Sequence, residues 1–447
     1  MELKRKFYNK LVNWKQTSNG STSMLIEGAR RVGKSYVAAA FAKRNYMSHI
    51  IIDFANIDPA VKAIFENNST DLDLFFNKLS AFYGVKLHRR DTLFVFDEVQ
   101  LYPKARQLTK YLVADGRFDY LLTGSLITLK NNVETIVIPS EEESLTMYPL
   151  DFEEFLWAVG NESMADYISE CFYSKTPLGQ GMHRKAMDYF KQYMLVGGMP
   201  QAVVKYVESH DFEKVDTEKR WILKLYRNDI SKFAKGYESK VMAIFDEIPS
   251  QLSKHEKKFS LSSLTKTARM REYEDSFMWL ADAKVINLCF NNTDPNRGLG
   301  LNMEQSSLKC YMADTGLLFS LAFSETELMD NEIYKAILFD KLQLNEGMFL
   351  ENIVAQTLAT SNKRLFFYSR SSRENPDDRM EIDFLIAENR KIAPLEIKSS
   401  RYQQHVSLDK FAAKFKQRIS NQYIIYTKDL ILKDGVTYIP VYMAGLL

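Results

Sequence analysis

Cysteine is scarce in this chain, and the scarcity removes several function classes at once. Three cysteines in 447 residues, Cys171, Cys289 and Cys310, lie far apart and are odd in number. They suit a reducing compartment and build neither a disulfide framework nor a zinc cluster. Histidine is equally thin, with six residues and no pair at metal-binding spacing. An excess of one charge sign is missing too. The 59 basic and 57 acidic residues leave a net charge of +2, so no global field draws the chain onto nucleic acid, and any such contact must be local. No run approaches the roughly 20 apolar residues of a membrane span, and Met1–Lys6 lacks the apolar stretch of a signal peptide. The expectation is a soluble cytoplasmic protein without a membrane partner. With 46% hydrophobic and 26% charged residues, the composition is that of a globular chain of about two to four domains.

What is present is a phosphate-binding pattern. Gly28–Ala29–Arg30–Arg31–Val32–Gly33–Lys34–Ser35 fits G-x-x-x-x-G-K-[ST] at every fixed position. The apolar run Met24–Leu25–Ile26 leads into it and an alanine-rich run follows, as strand, loop and helix require. Glycines let backbone N–H groups wrap an anion, and the next helix points its positive end at the same phosphates. In this reading residues 28–35 bind ATP, Lys34 reaches the β- and γ-phosphates, and Ser35 ligates Mg²⁺. Thr92–Leu93–Phe94–Val95–Phe96–Asp97–Glu98 is a short apolar run ending in two carboxylates. A buried strand would deliver them to the carboxyl edge of a parallel sheet, Asp97 to the Mg²⁺ shell and Glu98 to a water for in-line attack. Tyr120–Leu121–Leu122 ends in Thr123–Gly124–Ser125. These hydroxyls either sense the γ-phosphate, with Ser125 in a catalytic role, or simply form a polar turn.

Residues 1–22 read as an amphipathic helix with Phe7, Leu11 and Trp14 on one face, favouring packing on the core over a lipid surface. From Thr22 to about Leu129 strand-like runs (24–27, 49–54, 92–97, 119–123) alternate with helical ones (34–46, 71–83, 104–115), implying an α/β sheet with helices on both faces. Residues 151–248 are helical and aromatic, broken by a tight turn at Gly197–Gly198–Met199–Pro200. Residues 249–330 read as helix, helix, strand, loop, strand, the outline of a winged helix-turn-helix. Lys266, Arg269 and Arg271 fall on its turn and second helix, where a DNA-reading helix displays charge. Basic and acidic residues nearly balance there, so packing between domains is an equal alternative.

The segment 335–447 carries a second set of carboxylates. Glu351 lies on a predicted helix from Gly347 to Thr360, Asp383 in the strand Glu381–Ile386, and Glu396 and Lys398 on one face of the strand Pro394–Lys398. A helix-borne Glu, a strand-borne Asp and a Glu-x-Lys form an acidic cup for a second divalent metal, with the lysine activating water. The bland alternative is a charged hairpin with cross-strand pairs.

Taken in order, the phosphate loop, Asp97–Glu98, Thr123–Gly124–Ser125, Gly197–Gly198–Met199–Pro200 and Glu381–Ile382–Asp383…Glu396–Ile397–Lys398 resemble a group of bacterial and archaeal AAA-type ATPases. These carry a C-terminal domain of unknown function with a PD-(D/E)xK nuclease-like fold. Met147–Phe155 and Ala313–Leu318 look like segments common there. The resemblance implies a P-loop ATPase domain (23–150) after the N-terminal helix and turn (1–22), then a helical lid (151–248), a winged helix (249–330) and a restriction-nuclease-like α/β domain (335–447). Glu381–Ile382 stands where many active nucleases have proline or another small lead-in. The implied function is Mg²⁺-dependent ATP hydrolysis coupled to movement of a winged-helix and nuclease-like module on DNA or RNA. The alternative is a nucleotide-gated interaction protein with slow hydrolysis and an inactive nuclease-like fold. An arginine finger from self-association is a further expectation, with Arg30, Arg117 and Arg227 as candidates.

Overall fold

The apolar runs at Met24, Ile50, Phe94 and Leu121 become parallel strands side by side. The computed structural model describes residues 2–124, 139–254, 258–296, 298–324, 331–332, 334, 346–370, 379–400 and 402–447. Its chain divides into two units, Lys4–Tyr148 and Pro149–Leu447, the second joined by the few residues before Lys4.

The first unit runs α1 (Lys6–Ser18), β1 (Ser23–Gly28), α2 (Lys34–Asn45), β2 (Ser48–Asp53), α3 (Pro59–Asn67), α4 (Leu72–Tyr83), β3 (Thr92–Asp97), α5 (Pro103–Asp115), β4 (Asp119–Gly124) and β5 (Glu142–Met147). The strands form one sheet in the order β2-β3-β4-β1-β5, every pair parallel. Helix starts follow local chemistry. Asp58 accepts from Ala60 N at 2.7 Å with Pro59 in the first turn, and Asp71 accepts from Leu74 N at 3.0 Å. Phe54, Phe65, Phe75, Phe94 and Phe96 are buried in one core and meet largely edge to face. On α1 the expected face, Phe7, Leu11 and Trp14, is buried. Strand β5 was not expected. Its sequence, Glu-Glu-Ser-Leu-Thr-Met, is polar because it is an edge strand, and Arg106 of α5 holds its Glu142 bidentately, with Nε at 2.9 Å.

The second unit begins with helices Phe152–Ala158, Glu162–Ser174, Gln180–Val196, Pro200–Ser209, Phe212–Phe233 and Glu238–Ser253. A capping box between Asp151 and Glu154 starts the first of them. Strands β6 (Ile286–Asn292), β7 (Met303–Met312), β8 (Leu365–Arg370), β9 (Met380–Glu388), β10 (Lys391–Lys398), β11 (Gln422–Tyr426), β12 (Ile431–Lys433) and β13 (Val436–Pro440) follow, with helices Glu274–Asp282, Thr315–Ala322, Glu346–Thr360 and Val406–Lys414 among them. Together they make a mixed sheet in the order β12-β13-β11-β10-β9-β8-β6-β7.

Two expectations change here. The first helix of the expected outline, starting at Ser260, is a single 3-10 turn, Leu261–Ser263, while the second is present as Glu274–Asp282 after another such turn, Met270–Glu272. Lys266, Arg269 and Arg271 therefore do not lie along a recognition helix. The Ser- and Thr-rich stretch offers its backbone local side-chain partners, such as Ser263 Oγ to the Ser260 carbonyl at 2.8 Å, which compete with helix formation. The β6–β7 hairpin, read as a wing, is the end of the large sheet, because β6 pairs in parallel with β8.

Candidate functional site

The loop between β1 and α2 is shaped by glycine. Gly28 has φ +153, and a Cβ there would lie 2.4 Å from the Met147 carbonyl oxygen on β5, so no larger residue fits beside the neighbouring strand. Gly33, at φ 99, precedes the first turn of α2. The buried Lys34 donates from Nζ to the Gly28 and Ala29 carbonyls, both at 3.0 Å. The loop thus holds its own lysine across the concavity where phosphate oxygens would compete for the ammonium. A residue that sequence reasoning missed supports the loop from behind. Arg5, ahead of α1, is buried and donates to the Val32 carbonyl at 3.3 Å and the Tyr148 carbonyl at 2.6 Å.

The carboxylates Asp97 and Glu98 stand at the end of β3, beside Thr123 at the end of the neighbouring β4. Ser35 Oγ donates to Asp97 Oδ1 at 2.8 Å. Thr123, buried at the end of β4, donates to the same oxygen and accepts from the Glu98 N–H at 3.1 Å. Glu98 sits at φ 54, a left-handed backbone conformation uncommon for its residue type, and accepts from Gln100 Nε2. One hydroxyl therefore fixes both acidic residues, a link invisible in sequence because it joins residues twenty-six apart. Ser125 lies outside the described residues. A hydroxyl and a carboxylate oxygen facing each other at this distance fit the oxygen-only ligand set of Mg²⁺. Of the arginine candidates, Arg117 is held by Asp115 at 2.7 Å and Asp73 at 2.6 Å, and Arg227 by Asp246 at 2.7 Å. Arg30 is on the phosphate loop itself.

The second carboxylate set assembles differently from its expectation. Strands β9 and β10 pair up to Leu395↔Phe384. Beyond that pair, Asp383 Oδ2 accepts from the Ile397 N–H at 2.8 Å. Glu351, buried on its helix, accepts from the Tyr311 hydroxyl. The group that joins the acids is Lys309 of β7, which is 1% exposed. Its ammonium stands 2.9 Å from Glu381, 3.3 Å from Glu351 and 3.8 Å from Asp383, with the Phe367 ring 5.0 Å away. Burial alone would push this lysine down, but Glu351, Asp383 and Glu381 outweigh it and hold the ammonium above its ordinary value. Glu396 pairs with Lys398 at 2.7 Å instead of joining the cluster. Its Oε2 is buried without a hydrogen-bond partner.

A divalent ion takes carboxylate oxygens at about 2.0–2.6 Å, and here the space among three of them is taken by an ammonium. Among the described residues no group of three or more His, Cys, Asp or Glu is arranged to hold a metal. Among the described residues the expected cup of Glu351, Asp383 and Glu396 is not brought together, and Lys398 pairs with Glu396. Lys309–Glu351 is the pair in this cluster with both members buried, and removing one member of such a pair costs about 3–5 kcal/mol.

A third constellation is structural. Segments around Leu150, Gly197–Gly198 and Asp314 meet inside the second unit. Leu150 N donates to the Gly198 carbonyl at 2.7 Å, and Asp314 accepts from Gly198 N at 2.6 Å and Leu317 N at 2.9 Å. A Cβ on Gly198 would stand 2.1 Å from the Leu150 carbonyl oxygen. The glycine pair is a packing junction as well as a turn.

Residues 21–156 match the family described as an AAA domain. The first unit is thus similar to AAA domains over most of its length. Residues 187–328 and 346–443 match two families described as domains of unknown function, DUF8612 and DUF4143. No curated protein gives a significant match. Among solved structures, this chain is similar to the Aeropyrum pernix ORC1 protein in complex with DNA, at 10% identity and TM-score 0.27, covering 73% of this chain and 93% of that one. It is similar to Cdc6p from Pyrobaculum aerophilum at 11% identity and TM-score 0.26, covering 76% and 94%. A STAND protein with a tetratricopeptide repeat sensor from Pyrococcus horikoshii matches at 11% identity and TM-score 0.27, covering 81% and 50%. None of the three is near enough to carry a residue role across. Among the described residues no helix is long and apolar enough to cross a membrane.

Proposed function

We propose that the chain is a Mg²⁺-dependent ATPase in which residues 28–35 bind the triphosphate and Glu98 prepares the attacking water. The observation that carries this reading is the contact of Ser35 Oγ with Asp97 Oδ1 at 2.8 Å, beside a loop filled by Lys34. Ser35 and Asp97 would hold Mg²⁺, which when bound neutralises charge on the phosphate oxygens. Backbone N–H groups of the loop and the start of α2 bind and orient the phosphates. Lys34 exchanges its two carbonyl partners for phosphate oxygens, a stronger charge-assisted contact. Glu98 accepts a hydrogen bond from water and aligns it with the γ-phosphorus, while Thr123 fixes its backbone and the Asp97 carboxylate.

Lys34→Ala and Glu98→Gln should each reduce ATP turnover by about 10²-fold or more, measured as phosphate release. Glu98→Gln should still bind ATP, because it keeps shape and loses only the charge that polarises water. Turnover unchanged in both variants defeats the assignment.

For the second unit we propose a module driven by the nucleotide cycle that acts on nucleic acid or on a protein partner. Two readings divide here. In one, Asp383 and Lys398 cut nucleic acid. In the other, the fold binds without cutting. The position of Lys309 favours the second. Incubating plasmid with Mg²⁺ or Mn²⁺, wild type beside Asp383→Ala and Lys398→Ala, separates them. Nicking lost in both variants supports cleavage, and no nicking by any form supports a binding module.

A further inference from the structure

Among the described residues of the second unit, three carboxylates gather around an ammonium. Three acids from two elements, Glu351 on the helix Glu346–Thr360 and Glu381 and Asp383 on β9, converge on one ammonium. That ammonium arrives from β7, which joins the sheet through the β6–β8 pairing. Its stem is enclosed, since Lys309 is 1% exposed, and its charged end has an aromatic face beside it. A buried lysine without acids would be costly, and so would the buried Glu351 without a cation. Each explains the other.

We propose that Lys309 is a built-in cation that takes the position a divalent ion would occupy among Glu351, Glu381 and Asp383. The carboxy-terminal fold is thereby assembled without metal, around a single positive charge set among three acids. Lysine supplies one fixed positive charge and three N–H donors, enough for three carboxylate oxygens. It cannot act as a Lewis acid or lower the pKa of a bound water as a metal does. The proposal deepens the binding-module reading of the second unit. It is measured without nucleotide, so its failure leaves the ATPase reading standing.

The test uses the full-length, nucleotide-free protein and Mn²⁺ as the probe, followed by electron paramagnetic resonance or calorimetry. Wild type should show no Mn²⁺ site that Asp383→Asn removes. Lys309→Ala should gain one Mn²⁺ per chain, at least tenfold tighter than anything in wild type and lost again on adding Asp383→Asn. Wild type binding Mn²⁺ in an Asp383-dependent way overturns the proposal. So does a folded Lys309→Ala that gains no site. Should Lys309→Ala fail to fold without metal, Mn²⁺ restoring its circular dichroism supports the proposal, and failure of Mn²⁺ to restore it counts against. The wild-type titration decides independently of any variant.

Discussion

Thr123 and Lys309 show how one buried polar side chain can organise several acidic ones. Thr123 joins Asp97 to the Glu98 backbone with a single hydroxyl. Thr123→Val keeps the volume and removes both contacts, so it should lower kcat about tenfold or more while changing ATP affinity far less, as steady-state kinetics beside equilibrium nucleotide binding would show. An equal loss in binding would mean that the hydroxyl supports the loop rather than the water. The phosphate loop and Asp97–Glu98 were legible in the sequence because each is a contiguous pattern with its own chemistry. Thr123 was legible only as one hydroxyl among several. Lys309 was not legible at all, since one lysine in the apolar run Leu308–Met312 gives no sign of partners forty-two to seventy-four residues further on. Arg5 escaped for the same reason, as its acceptors are backbone carbonyls, which carry no residue signature.

Elements were readable where burial leaves a pattern in the residues, a continuous apolar run or a single apolar face. The strands β1, β3 and β4, buried along nearly their whole length, appear as apolar runs, and α1 shows its buried face at helical spacing. β5 did not appear, because an edge strand clamped by Arg106 needs no apolar run. The helix expected from Ser260 shrank to one 3-10 turn where serine and threonine turns outcompete helix formation, whereas the one expected to open at Arg271–Asp275 is present as Glu274–Asp282. The Gly197–Gly198 turn was read correctly in shape, but its reason lies in tertiary contact. Gly198→Ala places a methyl against the Leu150 carbonyl, a backbone atom that cannot step aside. The expected cost is about 2 kcal/mol or more, read as a drop in the urea midpoint, with Gly181→Ala, where a Cβ meets open space, as the control that should not fall.

For the whole molecule, buried phenols set an alkaline limit. Burial pushes Tyr206 up to about 12 and raises Tyr46, Tyr226, Tyr334 and Tyr442 further, with Asp119 adding to the effect at Tyr46 and Asp216 at Tyr334. The folded chain keeps these protons above the ordinary tyrosine value near 10, where the unfolded chain sheds them. The unfolded state then binds fewer protons, and stability falls with rising pH by about 1.4 kcal/mol per unit for each such group. Lys219, pushed down to about 8 by burial, opposes this between about 8 and its ordinary value, but it is one group against several. Urea midpoints should therefore be lower at pH 11 than at pH 9, and a flat or rising trend would contradict the burial of these rings. The seam between β6 and β8 has a different consequence. Its register, Cys289↔Leu365 to Asn291↔Phe367, stitches the stretch matched at 187–328 to the one matched at 346–443. Excising the later stretch alone would strip β8 of its neighbour and leave a raw, apolar border open to self-templating. Such a fragment should clump in solution.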